Sequence, residues 1–89
     1  MIRIAWEGHF ERAAAYDGEK LVGKCEYRDA VKSWTIVHTE VDPAYGGQGI
    51  AARLVAAVLD EAKERGIEVR SLCSYASSVM EKRKKEAEQ

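Results

Sequence analysis

Across residues 42–49 the apolar repeat of this chain changes from two residues to four, and that switch limits the possible folds more than any other feature. Residues 33–41 alternate: Trp34, Ile36 and His38 fall on one face, and Thr35, Val37, Thr39 and Val41 on the other, as in a half-buried strand. Asp42-Pro43 stops that strand, because proline has no N–H for a ladder and restricts the residue before it. From Gly49 onward Ile50, Leu54, Val58 and Ala62 recur every four residues, Val55 and Leu59 widen the stripe, and Gly66 supplies a C-terminal stop. The pattern predicts a helix over residues 49–65. Residues 67–72 then read as a strand after a crossover, parallel to residues 33–41 if the two are neighbours.

Upstream of the switch the chain reads as an antiparallel meander. Residues 2–6 form a short strand and residues 10–16 a second, ended by Asp17-Gly18 as a hairpin turn. Residues 20–27 follow as a third strand, in which Val22 and Cys25 interrupt strict alternation, and Arg28-Asp29-Ala30 reads as a turn. At the other end a helix starts at Ser74 or at Ser78, the latter with Glu81 at capping-box spacing, and runs into the charged residues 81–88. The expected fold is one α/β domain with a mixed antiparallel and parallel sheet, spanning residues 1–89.

Eighty-nine residues allow one modest core, which leaves room for a homodimer. A formal net charge of −1 supplies no bulk field for nucleic acid or for a membrane surface. Acids interrupt and flank the basic run Lys82-Arg83-Lys84-Lys85, which also argues against a nucleic-acid binder. No apolar stretch reaches the roughly 20 residues that span a bilayer, and no signal-peptide h-region is present, so a cytoplasmic location is expected. Cys25 and Cys73 form no CxxC pattern and are expected as free thiols in a reducing compartment.

Gly46-Gly47-Gln48-Gly49 lies where the strand gives way to the helix. Glycines there let backbone N–H groups converge on an anion at a helix N-terminus. A Walker loop fails, because Ile50-Ala51 follows where Lys-Ser or Lys-Thr is needed. Residues 47–52 match the loose GxGxxA dinucleotide pattern, but the chain is too short for a doubly wound domain. A pyrophosphate held by amides fits better, and a ligand-free glycine turn is the plain alternative. Cys73 reads either as a small buried residue or as a thiol whose pKa a helix N-terminus lowers from about 8.5. His38 reads as a core histidine or as a general base with a reference pKa of about 6.5. Glu40 shares its face and either meets solvent or orients a water or amine.

The run His38-Thr39-Glu40-Val41-Asp42-Pro43-Ala44-Tyr45-Gly46-Gly47-Gln48-Gly49-Ile50-Ala51, with Leu54-Val55 after it, resembles the acetyl-coenzyme A motif of GNAT-fold N-acetyltransferases. Cys73-Ser74-Tyr75-Ala76 narrows the resemblance to the small single-domain YjdJ-like branch, over roughly residues 10–83. The resemblance implies a sheet whose central strands splay apart, flanked by helices. It implies acetyl-coenzyme A as cofactor, its pantetheine arm against backbone near Glu40 and Val41 and its pyrophosphate on Gly47, Gln48, Gly49, Ile50 and Ala51. Cys73 and His38 are the implied catalytic pair, meeting across the splay, and Tyr75 is implied near the cofactor sulfur. The implied activity is acetyl transfer to an amine on a small molecule, peptide or protein, either directly or through an acetyl-thioester on Cys73. A non-catalytic acyl-coenzyme A binding or sensing module is the alternative. Gly46 stands where relatives place a basic or amide side chain, and no His-Pro pair ends the last helix. The basic run reads as a solvated helix face or as a contact for the 3′-phosphate of coenzyme A.

Overall fold

The computed structural model describes residues 1–87. Strands β1 (Ile2–Glu7), β2 (Arg12–Asp17), β3 (Lys20–Ala30) and β4 (Ser33–Val41) precede helix α1 (Ile50–Arg65), strand β5 (Glu68–Ser71) and helix α2 (Ser74–Ala87). The strands lie side by side in chain order, antiparallel except for the parallel β4–β5 pair. The fold is thus a single α/β domain, a mixed sheet flanked by helices.

Two local departures come from turn chemistry. Gly8–Phe10 forms a 3-10 turn, so β2 starts at Arg12 rather than at residue 10. Arg28, Asp29 and Ala30 are strand, paired with Thr35, Trp34 and Ser33, instead of the expected turn. The reversal falls on Val31 and Lys32, with Lys32 at φ 79°, a left-handed conformation that a lysine seldom adopts. Asp29 is held in the ladder by accepting a 3.0 Å hydrogen bond from Trp34 Nε1.

One departure changes the site. Glu26 pairs with His38 and the next residue, Tyr27, with Ile36, so Val37 is an extra residue in β4. Such a bulge breaks the two-residue alternation. Trp34 and Ile36 are buried as expected, but His38 is exposed, and it is Thr39 and Val41 that return to the helix side of the sheet. The shared face expected for Trp34, Ile36 and His38 therefore does not exist.

The core lies between the sheet and the helices. Ile50, Leu54, Val55, Val58 and Ala62 of α1 meet Ala13, Ala15, Cys25, Tyr27, Trp34 and Ile36, and Ala76 of α2 joins the same cluster. Small residues on β2 and β3 let α1 approach closely: a Cβ on Gly23 would stand 3.2 Å from Leu54 Cδ1. Gly66, at φ 69°, ends α1 by donating to the carbonyls of Ala62 and Lys63, the stop expected of it. The opposite sheet face is polar, carrying the Arg12–Glu7, Lys24–Glu26, Lys24–Glu40 and His38–Glu40 pairs.

Strand β5 accompanies β4 only from Ser33 to Ile36, and the last backbone bond between them runs from Leu72 N–H to Ile36 O, 2.9 Å. Beyond that point β4 continues to Val41 while the chain turns into α2. The strands part there, as the splay requires.

Candidate active site

The turn between β4 and α1 is built by its own backbone. Asp42 accepts from Ala44 N–H at 2.9 Å and starts a 3-10 turn over Pro43–Tyr45. Gly47 and Gly49 follow at φ 79° and 72°, and a Cβ on either would meet nothing within 4 Å, so it is the left-handed conformation that demands glycine. Gly46 has an ordinary φ of −61° and is the least constrained of the three. Gly49 caps α1 with no side-chain hydrogen bond, which leaves the first N–H groups of the helix facing outward.

A residue that sequence reasoning missed ties this turn down. Tyr45 donates its hydroxyl to Asp17 Oδ2 at 2.6 Å, fastening the glycine turn to the β2–β3 hairpin, and Lys20 lies 5.6 Å from the centre of its ring. An aromatic beside the glycines is its only sequence signal. Val41, Tyr45, Gly47, Gly49, Ala51 and Tyr75 surround a cavity of about 310 Å³, so the end of β4, the glycine turn and the start of α2 converge. Ile50 buries its side chain in the core and offers this site only backbone, while Gln48 is exposed beside it.

Cys73 sits at the residue before α2. Its carbonyl accepts from Ser77 N–H at 2.9 Å. Ser71 Oγ donates to the same carbonyl at 2.8 Å and accepts from Cys73 N–H at 3.1 Å. Burial pushes the thiol up, but hydrogen bonds from the N–H of Ala76, the side chain of Thr39 and the N–H groups of Tyr75 and Thr39 outweigh it and hold the thiol below its ordinary range. Cys25, fully buried on β3, is pushed the other way by desolvation and lies 3.5 Å from Thr39 Oγ1.

His38 stands on the other side of β4. Its Nε2 is 3.4 Å from Glu40 Oε2, and Glu40 Oε1 is 3.5 Å from Lys24 Nζ, which in turn is 3.5 Å from Glu26 Oε1. The His38 hydrogen bond, with help from Lys24, holds the Glu40 carboxyl below its usual range. The structure therefore does not join His38 to Cys73 as a hydrogen-bonded pair on one face.

Between the helices runs a groove of about 500 Å³ with Ala52, Ala56 and Val79 along it, Tyr75 at one end and Lys82 and Arg83 at the other. Arg83 Nη2 is held by Asp60 Oδ1 at 2.7 Å. Lys84 and Lys85 do not line this groove. Among the described residues no group of His, Cys, Asp and Glu is arranged to hold a metal ion. None of the described helices is long and apolar enough to cross a membrane.

The family described as GCN5-related N-acetyl-transferase matches residues 11–89. Among curated proteins none matches the chain. The fold is similar to that of the ribosomal-protein-S18-alanine N-acetyltransferase from Escherichia coli, at 20% identity and TM-score 0.69, covering 80% of this chain and 49% of that one. It is similar to an N-acetyltransferase, PaiA, from Thermoplasma acidophilum in complex with coenzyme A, at 21% identity and TM-score 0.66, covering 81% and 48%. An aminoglycoside acetyltransferase from an uncultured soil metagenomic sample, in complex with sisomicin, gives 22% identity and TM-score 0.62, with 80% and 54% covered. The chain spans about half the length of these solved relatives.

Proposed function

Because the chain belongs to the GCN5-related N-acetyltransferase family, we propose that it moves an acetyl group from acetyl-coenzyme A to an amine. One observation carries the proposal: two helix N-termini open at the same end of the sheet, one with free amides and one holding a thiol that favours ionisation.

The amides of Gly47, Gln48, Gly49, Ile50 and Ala51 hold the pyrophosphate, and the backbone at Glu40 and Val41, unpaired on the splayed side, takes the pantetheine arm. Tyr75 lies between this cavity and the interhelical groove, where Lys82 and Arg83 suit a 3′-phosphate. Acetyl-coenzyme A supplies an activated acetyl thioester. The donors around Cys73 Sγ favour the attacking thiolate in the first half of the transfer and the same thiolate as leaving group in the second. Cys73 Sγ bonds to the acetyl carbon as coenzyme A leaves; the amine nitrogen then bonds to that carbon as the Cys73 C–S bond breaks. The amine proton passes to water, because His38 stands on the polar face of β4 beside Glu40, away from the core side on which Cys73 packs.

A second reading, an acyl-coenzyme A binding or sensing module, is favoured by the placement of His38 and Thr39 on opposite faces of β4. Mass spectrometry of the intact chain after incubation with acetyl-coenzyme A, with and without a polyamine or a lysine peptide, separates the two. A single acetyl adduct that Cys73→Ala abolishes, and that an amine discharges, is the expected result. Full turnover by Cys73→Ala would remove the thiol from the reaction, and tight binding without transfer to thiol or amine would leave the binding module.

A further inference from the structure

Strand β5 is the last of the sheet, and among the described residues no strand pairs with its outer edge. Its inner edge is fixed by Glu68 N–H donating to Lys32 O at 3.1 Å and Leu72 N–H donating to Ile36 O at 2.9 Å. Backbone groups alternate in direction along a strand, so the N–H and C=O of Val69 and Ser71 point outward as a template for another strand. Val69 packs against the core, while Glu68 and Arg70 stand on the opposite face, their side chains 65% and 70% exposed and 3.4 Å from each other. From this edge we infer that the chain forms a two-fold dimer in which β5 pairs antiparallel with β5 of a second copy, centred on Val69.

The alternation of charge selects both the partner and the direction. Turned about Val69, the strand sets Glu68 opposite the partner's Arg70 and Arg70 opposite the partner's Glu68, two pairs of opposite sign. A parallel pairing would set like against like at both positions, and a strand of one sign would repel a second copy in either direction. The backbone agrees with the same register. Val69 faces its own copy as a pair that exchanges both bonds, and the charged residues fall at the flanking positions without backbone bonds, where opposed side chains come closest. Beside this edge Ser71, Ser77, Met80, Glu81 and Lys84 line a hollow of about 400 Å³. Glu81 and Lys84 stand about one turn apart on α2, so the rotation that pairs β5 also brings this flank a copy of itself with the signs exchanged. The other edge strand offers no such surface. On β1, Glu7 already accepts from Arg12 Nε and from the Tyr16 hydroxyl, each at 2.7 Å, and Arg3 lies over the Tyr16 ring at 4.9 Å.

Sedimentation velocity of the full chain, from micromolar to millimolar concentration at low salt, is expected to show a rise from the mass of one chain to that of two. Glu68→Arg and Arg70→Glu each turn both pairs repulsive and are expected to weaken association by on the order of a hundredfold. Both side chains are exposed, so each variant is expected to melt as a folded chain. Mixing the two variants is the decisive arm. One carries two arginines at these positions and the other two glutamates, so together they are expected to form a mixed dimer that neither forms alone. Contacts within one chain cannot produce that recovery. A wild type that keeps the mass of one chain at millimolar concentration overturns the inference. So do dimers that persist in both single variants, which would belong to another surface, and a mixture that stays monomeric. Acetyl-coenzyme A enters none of these measurements, so the dimer stands or falls separately from the chemistry proposed for Cys73.

Discussion

Helices α1 and α2 both begin at the splayed end of the sheet, and they treat their first amides in opposite ways. Helix α1 opens on Gly49 in the left-handed conformation with no side chain to cap it, so its N–H groups remain free for an anion from solution. Helix α2 opens behind Cys73, whose thiol the backbone N–H groups at Ala76 and Tyr75 help hold below its ordinary range. The same dipole end is thus left open to an external anion in one case and favours an internal one in the other. A single residue at each start decides which, and the comparison can be broken from either side.

The largest effect is expected at α2. Cys73→Ser leaves an oxygen to cap the helix, so the chain should fold, but a serine hydroxyl is not ionised near neutrality and gives a poor leaving group. Self-acetylation, read as the mass of the intact chain, is expected to disappear, while coenzyme A binding by calorimetry is expected to stay within about twofold, since the proposed grip is by backbone amides. Loss of binding together with acetylation would mean that the two helix starts are one unit.

On the α1 side, Gly49→Val puts a β-branched residue at φ 72°. The turn must shift to relieve it, and losing two charge-assisted N–H contacts corresponds to about a hundredfold weaker coenzyme A binding. Gly46→Ala, at a φ of −61°, is the contrast and is expected to change affinity by less than about threefold, its Cβ needing only a slight adjustment against Pro43 O at 3.3 Å. Equal losses for the two variants would mean that space rather than conformation governs the loop.

A pH series sharpens the same contrast. Cys73 is held low in the folded chain, so its contribution to stability is present above the unfolded thiol pKa of about 8.5 and is lost as pH falls through the folded value. Denaturant unfolding of wild type and Cys73→Ser should therefore diverge as pH rises through the thiol range, in favour of wild type, and then run parallel. A constant difference across that range would remove the claim that α2 favours the thiolate.

What could be read in the chain beforehand was local, and what could not was a matter of pairing. The α1 stripe of Ile50, Leu54, Val58 and Ala62 and its stop at Gly66 lie within one element and announce themselves. The glycines at 47 and 49 announce a left-handed turn for the same reason. The bulge at Val37 exists only because β3 and β4 settle into one register, and no residue near it marks the place, so alternation assigned His38 to the wrong face. Lys32 in the left-handed conformation is equally silent, and it moved a turn by three residues from Asp29. Thr39 is silent for the same reason, since its contact with Cys25 exists only once β3 and β4 have paired.

Tyr45 belongs to that second kind, being joined to Asp17 across 28 residues of chain. The bond holds the glycine turn against the β2–β3 hairpin from outside the turn itself, and the Asp17 carboxyl is lowered chiefly by it. Tyr45→Phe keeps the ring beside Lys20 and the cavity wall while deleting the hydroxyl. Since Gly47 and Gly49 already prescribe the turn's shape, the hydroxyl only narrows the range over which the turn moves, and coenzyme A affinity is expected to fall by about twofold to fivefold. The loss should appear as faster dissociation, because an anchored turn and a free one meet the ligand with the same amides but hold it differently. Asp17→Asn, which keeps an acceptor oxygen for the tyrosine, is expected to lose less than Tyr45→Phe. If Asp17→Asn instead lost more, the carboxylate charge and not the tether would be what the α1 side of the site depends on.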